Sequence, residues 1–324
     1  MFAVNKEVFE NSAIENQMTL TIVGLGKMGA RMGAKLVKEG HTVYGWDVDE
    51  NARKTSEDAG LIIPDTFEES ILSQDNKGER VILQMLHPEP TETTLELASK
   101  ILSEGDILID GGNSKYQDTN RRAKKMTESG IRFLGMGVSG GIIAEDTGYP
   151  IMIGGDKSAY DHVAPILDSL AKPHGTHEYL GAGGAGHYVK MVHNAIEYPI
   201  MQAFGEGFGM LKASEFDFDL EQIAKLYTHG TLVSGFMNDR LVEALEADPG
   251  LSSYHGEIGS ASGEAVWAVE EAKRLGVPTE SMEQSIDFRR RSVDDENVSG
   301  SFAAKVVAAL RATFGGHPVK RADK

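Results

Sequence analysis

The chain contains no cysteine, which excludes disulfides, thiolate nucleophiles and cysteine-ligated zinc together. It also lacks any apolar run approaching the ~18 residues that a membrane-spanning helix needs. Basic residues are in deficit: 32 Lys and Arg stand against 49 Asp and Glu, a net charge of −17. That argues against a nucleic-acid binder, whose affinity comes from cations on phosphates. An anionic ligand remains compatible, because local groups rather than net charge decide its binding. No fixed-period repeat or low-complexity tract occurs. No metal centre is expected either. His187 and His193 fall on different faces of a helix, and His174 and His177 have no matching carboxylate cluster.

What is present is an ordinary globular composition, 40% hydrophobic and 25% charged over 324 residues, enough for roughly two domains. Residues 1–17, "MFAVNKEVFENSAIENQ", hold three acids and no long apolar stretch, unlike a secretory or mitochondrial leader. They read as a flexible extension ahead of Met18. A disulfide-free chain of this kind fits the cytoplasm.

From Leu20 onward, strand patterns such as "LTIVGLG", "HTVYGWD", "RVILQML" and "DILIDGG" alternate with helical ones, including 91–103 and 116–129. Such alternation predicts a Rossmann-type, doubly wound α/β domain with a parallel sheet covered on both faces. At "GAGGAG" the pattern becomes helical, with segments near 185–213, 219–229, 231–246, 260–275, 279–292 and 300–313. The expected organisation is an α/β domain over 18–182, an all-helical substrate and dimerisation domain over 183–310, and a polar tail over 311–324.

"TIVGLGKMGARMG" places Gly24, Gly26 and Gly29 in GxGxxG spacing directly after a strand and opening a helix. The first glycine permits the tight turn, the second admits a pyrophosphate, and the third lets helix and strand approach. N–H groups of the first helical turn, over Lys27 and Met28, then receive phosphate oxygens. Asp47 ends the second strand, where a carboxylate accepts hydrogen bonds from both ribose hydroxyls of NAD and repels the 2′-phosphate of NADP. NAD is therefore the expected cofactor.

Two further loops, Asp110-Gly-Gly-Asn113-Ser114 and Gly137-Val-Ser139-Gly140-Gly141, follow strands at the usual ligand crevice. "KMVHNAIEY", residues 190–198, adds an unusual stripe: Lys190, His193, Asn194 and Glu197 share one face of an otherwise apolar helix. Oxidation of a secondary alcohol needs a base for the hydroxyl proton, which a lysine of lowered pKa provides. Glu197 stands about two turns away, roughly 10–11 Å at 1.5 Å per residue, suited to an acid acting at a different carbon. The alternative is a satisfied structural network. Pro199 is expected to kink or weaken the helix beyond the stripe.

Together "GLGKMG", "DGGNSKYQDT", "GVSGG", "GAGGAGHYVKMVHNAIEY" and "RATFGGH" resemble the short form of the decarboxylating 6-phosphogluconate dehydrogenases, within the wider β-hydroxyacid dehydrogenase family. The resemblance implies NAD(P)-linked conversion of 6-phospho-D-gluconate to D-ribulose 5-phosphate and carbon dioxide in the pentose phosphate pathway. It implies Lys190 as general base and then acid at the C3 oxygen, and Glu197 as the acid that protonates C1. Asn113, Ser139, Gly140, Gly141, His193 and Asn194 would hold the sugar acid, with Asn113 also near the cofactor. Tyr198 and Arg290 would meet its phosphate, and Arg311 and His317 would reach it from a neighbouring subunit of a homodimer or larger homo-oligomer. NADP-dependent members carry Asn-Arg-Thr after the second strand; here Asp47, Val48 and Asp49 stand there, which fits NAD.

One segment departs from the family pattern. Val266-Trp267-Ala268 replaces a basic residue and a threonine that face the phosphate. This leaves open a non-phosphorylated aldonate or another β-hydroxy acid as substrate. A binding protein without catalysis is the third reading, opposed by the presence of both Lys190 and Glu197.

Overall fold

The computed structural model describes residues 17–74, 79–259, 263–315 and 320; residues 1–16 of the expected extension and His317 lie outside them. The chain forms two compact units that divide between Lys190 and Met191.

In the first unit, seven strands among the described residues form one sheet. They are β1 (Thr19–Val23), β2 (Thr42–Trp46), β3 (Val81–Gln84), β4 (Ile107–Asp110), β5 (Arg132–Val138), β6 (Pro150–Gly155) and β7 (Thr176–Tyr179). Their spatial order is β2-β1-β3-β4-β5-β6-β7, so the winding reverses between β1 and β3. The carboxyl ends of strands beside such a reversal are where α/β sheets hold ligands.

Continuous apolar runs make these strands because both faces of the sheet are covered. Val81 and Leu83 of β3, with Ile107 and Ile109 of β4, join one core; Ile82 and Leu108, pointing the other way, join a second. The first core is closed by Met32 and Leu36 of α1 (Lys27–Lys38) and by Ile166, Leu167 and Leu170 from the later helix Ala164–Ala171. The second is closed by Ile71, Leu95, Ala98 and Met126. These belong to α3 (Phe67–Leu72), α4 (Pro88–Ile101) and α5 (Tyr116–Glu128), which follow α2 (Glu50–Asp58) in the chain. Each fully buried aliphatic side chain contributes ~1.5–3 kcal/mol relative to exposure, so this two-sided packing sets the fold. Thr66 caps α3 through a reciprocal pair with Glu69, satisfying two helix-end donors.

Two features differ from a purely parallel sheet. β6 runs antiparallel to β5, and β7 runs parallel to β6. Between β5 and β6 lies only a loop with a turn of 3-10 helix and α6 (Ala144–Thr147), too short for the crossover that a parallel strand requires. β7, "THEY", has no apolar run because it is an edge strand with alternating half-exposed residues. The unit's remaining helices are α7 (Lys157–His162) and α8 (Ala164–Ala171).

The second unit is helical: most of α9 (Ala185–Ala213), then α10 (Leu220–Thr228), α11 (Phe236–Ala247), α12 (Glu264–Leu275), α13 (Glu280–Asp294), α14 (Glu296–Ser299) and α15 (Phe302–Gly315). Its core gathers Met201, Phe208, Leu241, Leu245, Val306 and Leu310. α9 runs as one helix over Ala185–Ala213, matching the expected segment 185–213, with Pro199 inside it. Proline removes one donor from the ladder, and buried Ala195, Met201 and Phe208 hold the helix on either side of it. α11 starts later than expected because Gly230 and Gly235 adopt positive φ, at 80° and 137°, which breaks the helix before Phe236. α15 runs to Gly315, close to the expected helical segment 300–313, so Arg311 is helical.

Candidate functional site

The glycine motif has the geometry that its spacing implies. Gly24 adopts φ +93°, and a Cβ there would meet the Met85 carbonyl oxygen at 2.6 Å. A Cβ on Gly29 would stand 1.9 Å from the Gly24 carbonyl oxygen, so only glycine lets α1 approach β1. Gly26 is different: a Cβ there would touch no protein atom within 4 Å. Nothing among the described residues requires glycine at this position, and the open space leaves room for a ligand to approach the backbone. Gly26 is also the N-cap of α1 and supplies no side-chain cap, so the turn over Lys27, Met28 and Gly29 presents its N–H groups outward. A dinucleotide pyrophosphate fits this donor set.

Asp47 stands at the end of β2, and its carboxylate accepts from Leu25 N at 2.6 Å and from Asp49 N at 2.9 Å. The acid is thereby tied to the glycine turn itself. Arg53, the nearby cation, donates to the Asp47 carbonyl at 2.6 Å and pairs with Glu50, while Val48 is 81% exposed. The local surface thus offers a carboxylate and an apolar side chain.

At the end of β4, Asp110 is fully buried and organises the next loop. It accepts from Gly112 N at 3.3 Å, Ser114 Oγ at 3.0 Å and Arg122 Nη1 at 2.8 Å. Asn113 between them is exposed, held on a buried frame. After β5, Ser139 N donates to the Pro150 carbonyl at 3.0 Å, and Gly140 and Gly141 take φ +94° and +61°. Lys190 lies against the same strand: a Cβ on Gly137 would come within 2.5 Å of Lys190 Cβ, and Lys190 is only 8% exposed. Glycine at 137 therefore lets α9 sit directly on β5 where its lysine begins.

Further along α9, His193 Nδ1 lies 3.0 Å from Asn194 Oδ1 and 3.9 Å from Glu197 Oε2. Asn194 Nδ2 donates to Glu264 Oε1 at 3.2 Å. Glu264, at the first turn of α12, has no counterpart in the sequence reading. Of the expected apolar flanks, Met191 and Ala195 are buried, but Val189 is 38% and Ile196 48% exposed.

Tyr198 meets an arginine, though not the expected one. The guanidinium of Arg289 lies over its ring at 4.3 Å from the centroid, and Arg289 is buried, whereas Arg290 is exposed. The buried face of α13 runs through Ser285, Ile286, Arg289 and Ser292, which puts Arg290 on the outer face. Helical phase from Ile286 was the available signal, since the arginine three residues on shares its side. Arg311 joins the group within the same chain. Its guanidinium donates to the Ile258 carbonyl, and burial followed by the charge of Arg289 lowers its pKa to about 10. α15 thus places Arg311 near Tyr198 and Arg289 of its own chain. Burial likewise lowers the pKa of Arg289, against the opposing influence of Tyr198 and Glu197, and its Nε has no hydrogen-bond partner. Neither arginine has a carboxylate within ion-pair distance among the described residues. Positive charge is thus gathered beside the Tyr198 phenol by buried Arg289 and half-buried Arg311. Ala268 is buried and Val266 half-buried, so α12 adds no polar contact from these positions.

Among the described residues, no group of three or more His, Asp or Glu side chains is placed to hold a metal, and no helix is long and apolar enough to cross a membrane.

Comparison with known proteins agrees along the chain. Residues 19–183 match the NAD binding domain of 6-phosphogluconate dehydrogenase, and residues 186–294 match the 6-phosphogluconate dehydrogenase C-terminal domain. The Bacillus subtilis protein YqeC is 36% identical over 304 residues, covering 94% of this chain and 100% of the relative. The NAD(+)-dependent, decarboxylating 6-phosphogluconate dehydrogenase of Haloferax volcanii is 33% identical over 309 residues, with 94% and 100% covered. The Plasmodium falciparum 6-phosphogluconate dehydrogenase, solved alone and in complexes with NADP+ and with 6-phosphogluconate, superposes with a TM-score of 0.72 at 28% identity, over 86% of this chain and 63% of that one. With an NAD(P)-binding Rossmann domain followed by the matching helical domain, this chain belongs to the 6-phosphogluconate dehydrogenase family.

Proposed function

We propose that the protein is an NAD-linked, decarboxylating dehydrogenase that converts 6-phospho-D-gluconate to D-ribulose 5-phosphate and carbon dioxide. The observation that carries the substrate is the group of Tyr198, Arg289 and Arg311. Buried Arg289 and half-buried Arg311, neither within ion-pair distance of a carboxylate among the described residues although Glu197 acts on both from further away, call for an anion of phosphate character.

Bound NAD supplies the hydride acceptor, held by the turn over Gly24, Gly26, Lys27, Met28 and Gly29 and by Asp47. Lys190 takes the proton of the C3 hydroxyl as hydride leaves C3, producing a β-keto acid. The same ammonium then donates to the C3 oxygen as the C1–C2 bond breaks, so that the ketone accepts the electron pair and carbon dioxide departs. Glu197 protonates C1 of the resulting enediol while Lys190 recovers the hydroxyl proton, leaving the ketone at C2 of the product. Asn113, Ser139, Gly140, Gly141, His193 and Asn194 orient the sugar acid. Tyr198, Arg289 and Arg311 take its 6-phosphate, and His317 is assigned to the same phosphate through the family resemblance alone.

NAD over NADP is supported by the Asp47 carboxylate, the apolar Val48 and the inward engagement of Arg53. The NAD(+)-dependent relative from Haloferax volcanii is consistent with that assignment. We place the enzyme in the cytoplasm as a homodimer or larger homo-oligomer. Exposed Val189, Ile196 and Ile200, which share one face of α9, supply apolar surface for a second copy.

A second reading keeps the chemistry and changes the substrate to a non-phosphorylated aldonate, favoured by Val266 and Ala268. Comparing 6-phosphogluconate with gluconate, each with NAD and NADP, separates the two. The phosphate reading requires kcat/KM for 6-phosphogluconate at least ~10-fold above gluconate, the worth of roughly 1.5–3 kcal/mol from charge-assisted contacts. Equal values would transfer the assignment to the aldonate.

A further inference from the structure

The loop bearing Asn113 and the first turns of α9, which end at Lys190, are both fastened to one helix, α5. On one side, Arg122 Nη1 donates to Asp110 Oδ2 at 2.8 Å and to Ser114 Oγ at 2.7 Å, clamping the loop on both sides of Asn113. Arg122 is itself held by Glu92 of α4, through Nε at 2.8 Å. Toward α9, Thr119 Oγ1 lies 2.7 Å from Nδ1 of His187, and Asn120 Oδ1 accepts from Gly184 N at 2.8 Å. The rings of Tyr116 and Tyr188 meet edge to face with centroids 5.0 Å apart.

Tyr116, Thr119 and Asn120 are spaced i, i+3, i+4 and therefore share the face of α5 that meets α9. Arg122 follows Thr119 by three residues and turns to the loop. The close approach is enforced by glycines: a Cβ on Gly184 would lie 2.4 Å from the Tyr116 carbonyl oxygen, and one on Gly183 would lie 2.3 Å from Asn120 Oδ1. Thr119, His187, Asp110 and Arg122 are all buried, so these polar groups are not interchangeable with water.

We propose that α5 is a positioning element of the reaction, in which Thr119 and Arg122 hold the Lys190 turn and the Asn113 loop in a fixed mutual arrangement. Neither residue touches the reacting atoms in this account. Each acts through a partner, Thr119 through His187 and Arg122 through Asp110 and Ser114. The reason for such a device is chemical. Hydride departure and deprotonation occur at the same carbinol, so the base and the groups that orient the substrate must be correct together, and displacement of ~1 Å costs up to 100-fold in rate. The proposal rests on the assignment of Lys190 and Asn113 made above.

The test uses the full-length protein with 6-phosphogluconate and NAD, and the variants Thr119→Val, Thr119→Ser and Arg122→Gln. Thr119→Val should lower kcat about tenfold or more, with KM for both substrates within about twofold, the signature of lost transition-state placement rather than lost binding. Thr119→Ser, which restores the hydroxyl, should return kcat to within about twofold of the parent. Amide hydrogen exchange supplies a readout independent of turnover. Thr119→Val should accelerate exchange over Gly186–Lys190 alone, and Arg122→Gln over Gly111–Ser114 alone. Parental kcat in Thr119→Val, failure of Thr119→Ser to rescue, or exchange that rises uniformly across the protein would each overturn the proposal. An inactive parent would defeat the functional assignment instead, and the exchange measurements would still decide whether α5 holds the two segments.

Discussion

The guanidinium of Arg289 lies 4.3 Å from the centroid of the Tyr198 ring, while its neighbour Arg290 is exposed. A buried cation stacked on a phenol, with the half-buried Arg311 nearby, is expensive to maintain without an anion. Arg289→Met should therefore lower kcat/KM for 6-phosphogluconate by about 10- to 100-fold, mainly through KM, for loss of a charge-assisted contact worth ~1.5–3 kcal/mol. Arg290→Met should leave it within about twofold, as surface substitutions usually do. Steady-state kinetics of the two variants side by side measures this, and equal losses would remove Arg289 from the anion site.

Lys190 and Glu197 are assigned different protons, so their variants should fail differently. Lys190→Met should abolish hydride transfer while NADH still binds, detectable by the fluorescence of the bound nucleotide. Glu197→Gln should lower kcat by about 100-fold or more, the usual contribution of a general acid, with little change in KM. Near-parental turnover in either variant would remove that residue from the mechanism.

Much of this arrangement was legible because it is written at short range. The spacing of Gly24, Gly26 and Gly29, the apolar strand runs and the stripe from Lys190 to Glu197 each lie within one or two elements, where period and glycine placement carry the information. The two-sided burial of β3 and β4 made the α/β fold equally plain. What escaped depends on contacts distant in sequence. β7 has no apolar run because only one neighbour, β6, pairs with it, and the direction of β6 follows from the shortness of the segment after β5. The choice of Arg289 over Arg290 required the phase of α13 against Tyr198, some 90 positions away. Glu264 became visible only through its hydrogen bond to Asn194.

Asp47 and Val48 should govern cofactor choice. Asp47→Asn combined with Val48→Arg removes the carboxylate and adds a cation, and should move the ratio of kcat/KM for NAD over NADP toward NADP by about 100-fold, or ~2.7 kcal/mol. Initial rates with each cofactor at fixed 6-phosphogluconate provide the ratio. An unchanged ratio would show that the preference is set elsewhere.

Glu92 links acid stability to the frame of the Asn113 loop. Its hydrogen bond from Arg121, then the hydrogen bond and charge of Arg122, overcome the opposing effect of burial and hold its carboxyl at about 2 rather than 4.5. A depressed carboxylate contributes stability that is fully present above the unfolded value and is lost as pH falls through the folded one. Thermal unfolding of the parent should therefore decline between about pH 4.5 and pH 2 more steeply than that of Arg121→Ala. Parallel declines would show that this pair makes no pH-dependent contribution.

The central claim is oxidation coupled to loss of the carboxylate, and its most direct measurement counts both products in one reaction. With 6-phosphogluconate labelled at C1 and with NAD, NADH is followed by absorbance while labelled carbon dioxide is trapped. The account predicts carbon dioxide and NADH in equal amounts throughout the reaction. NADH formed without carbon dioxide would contradict it.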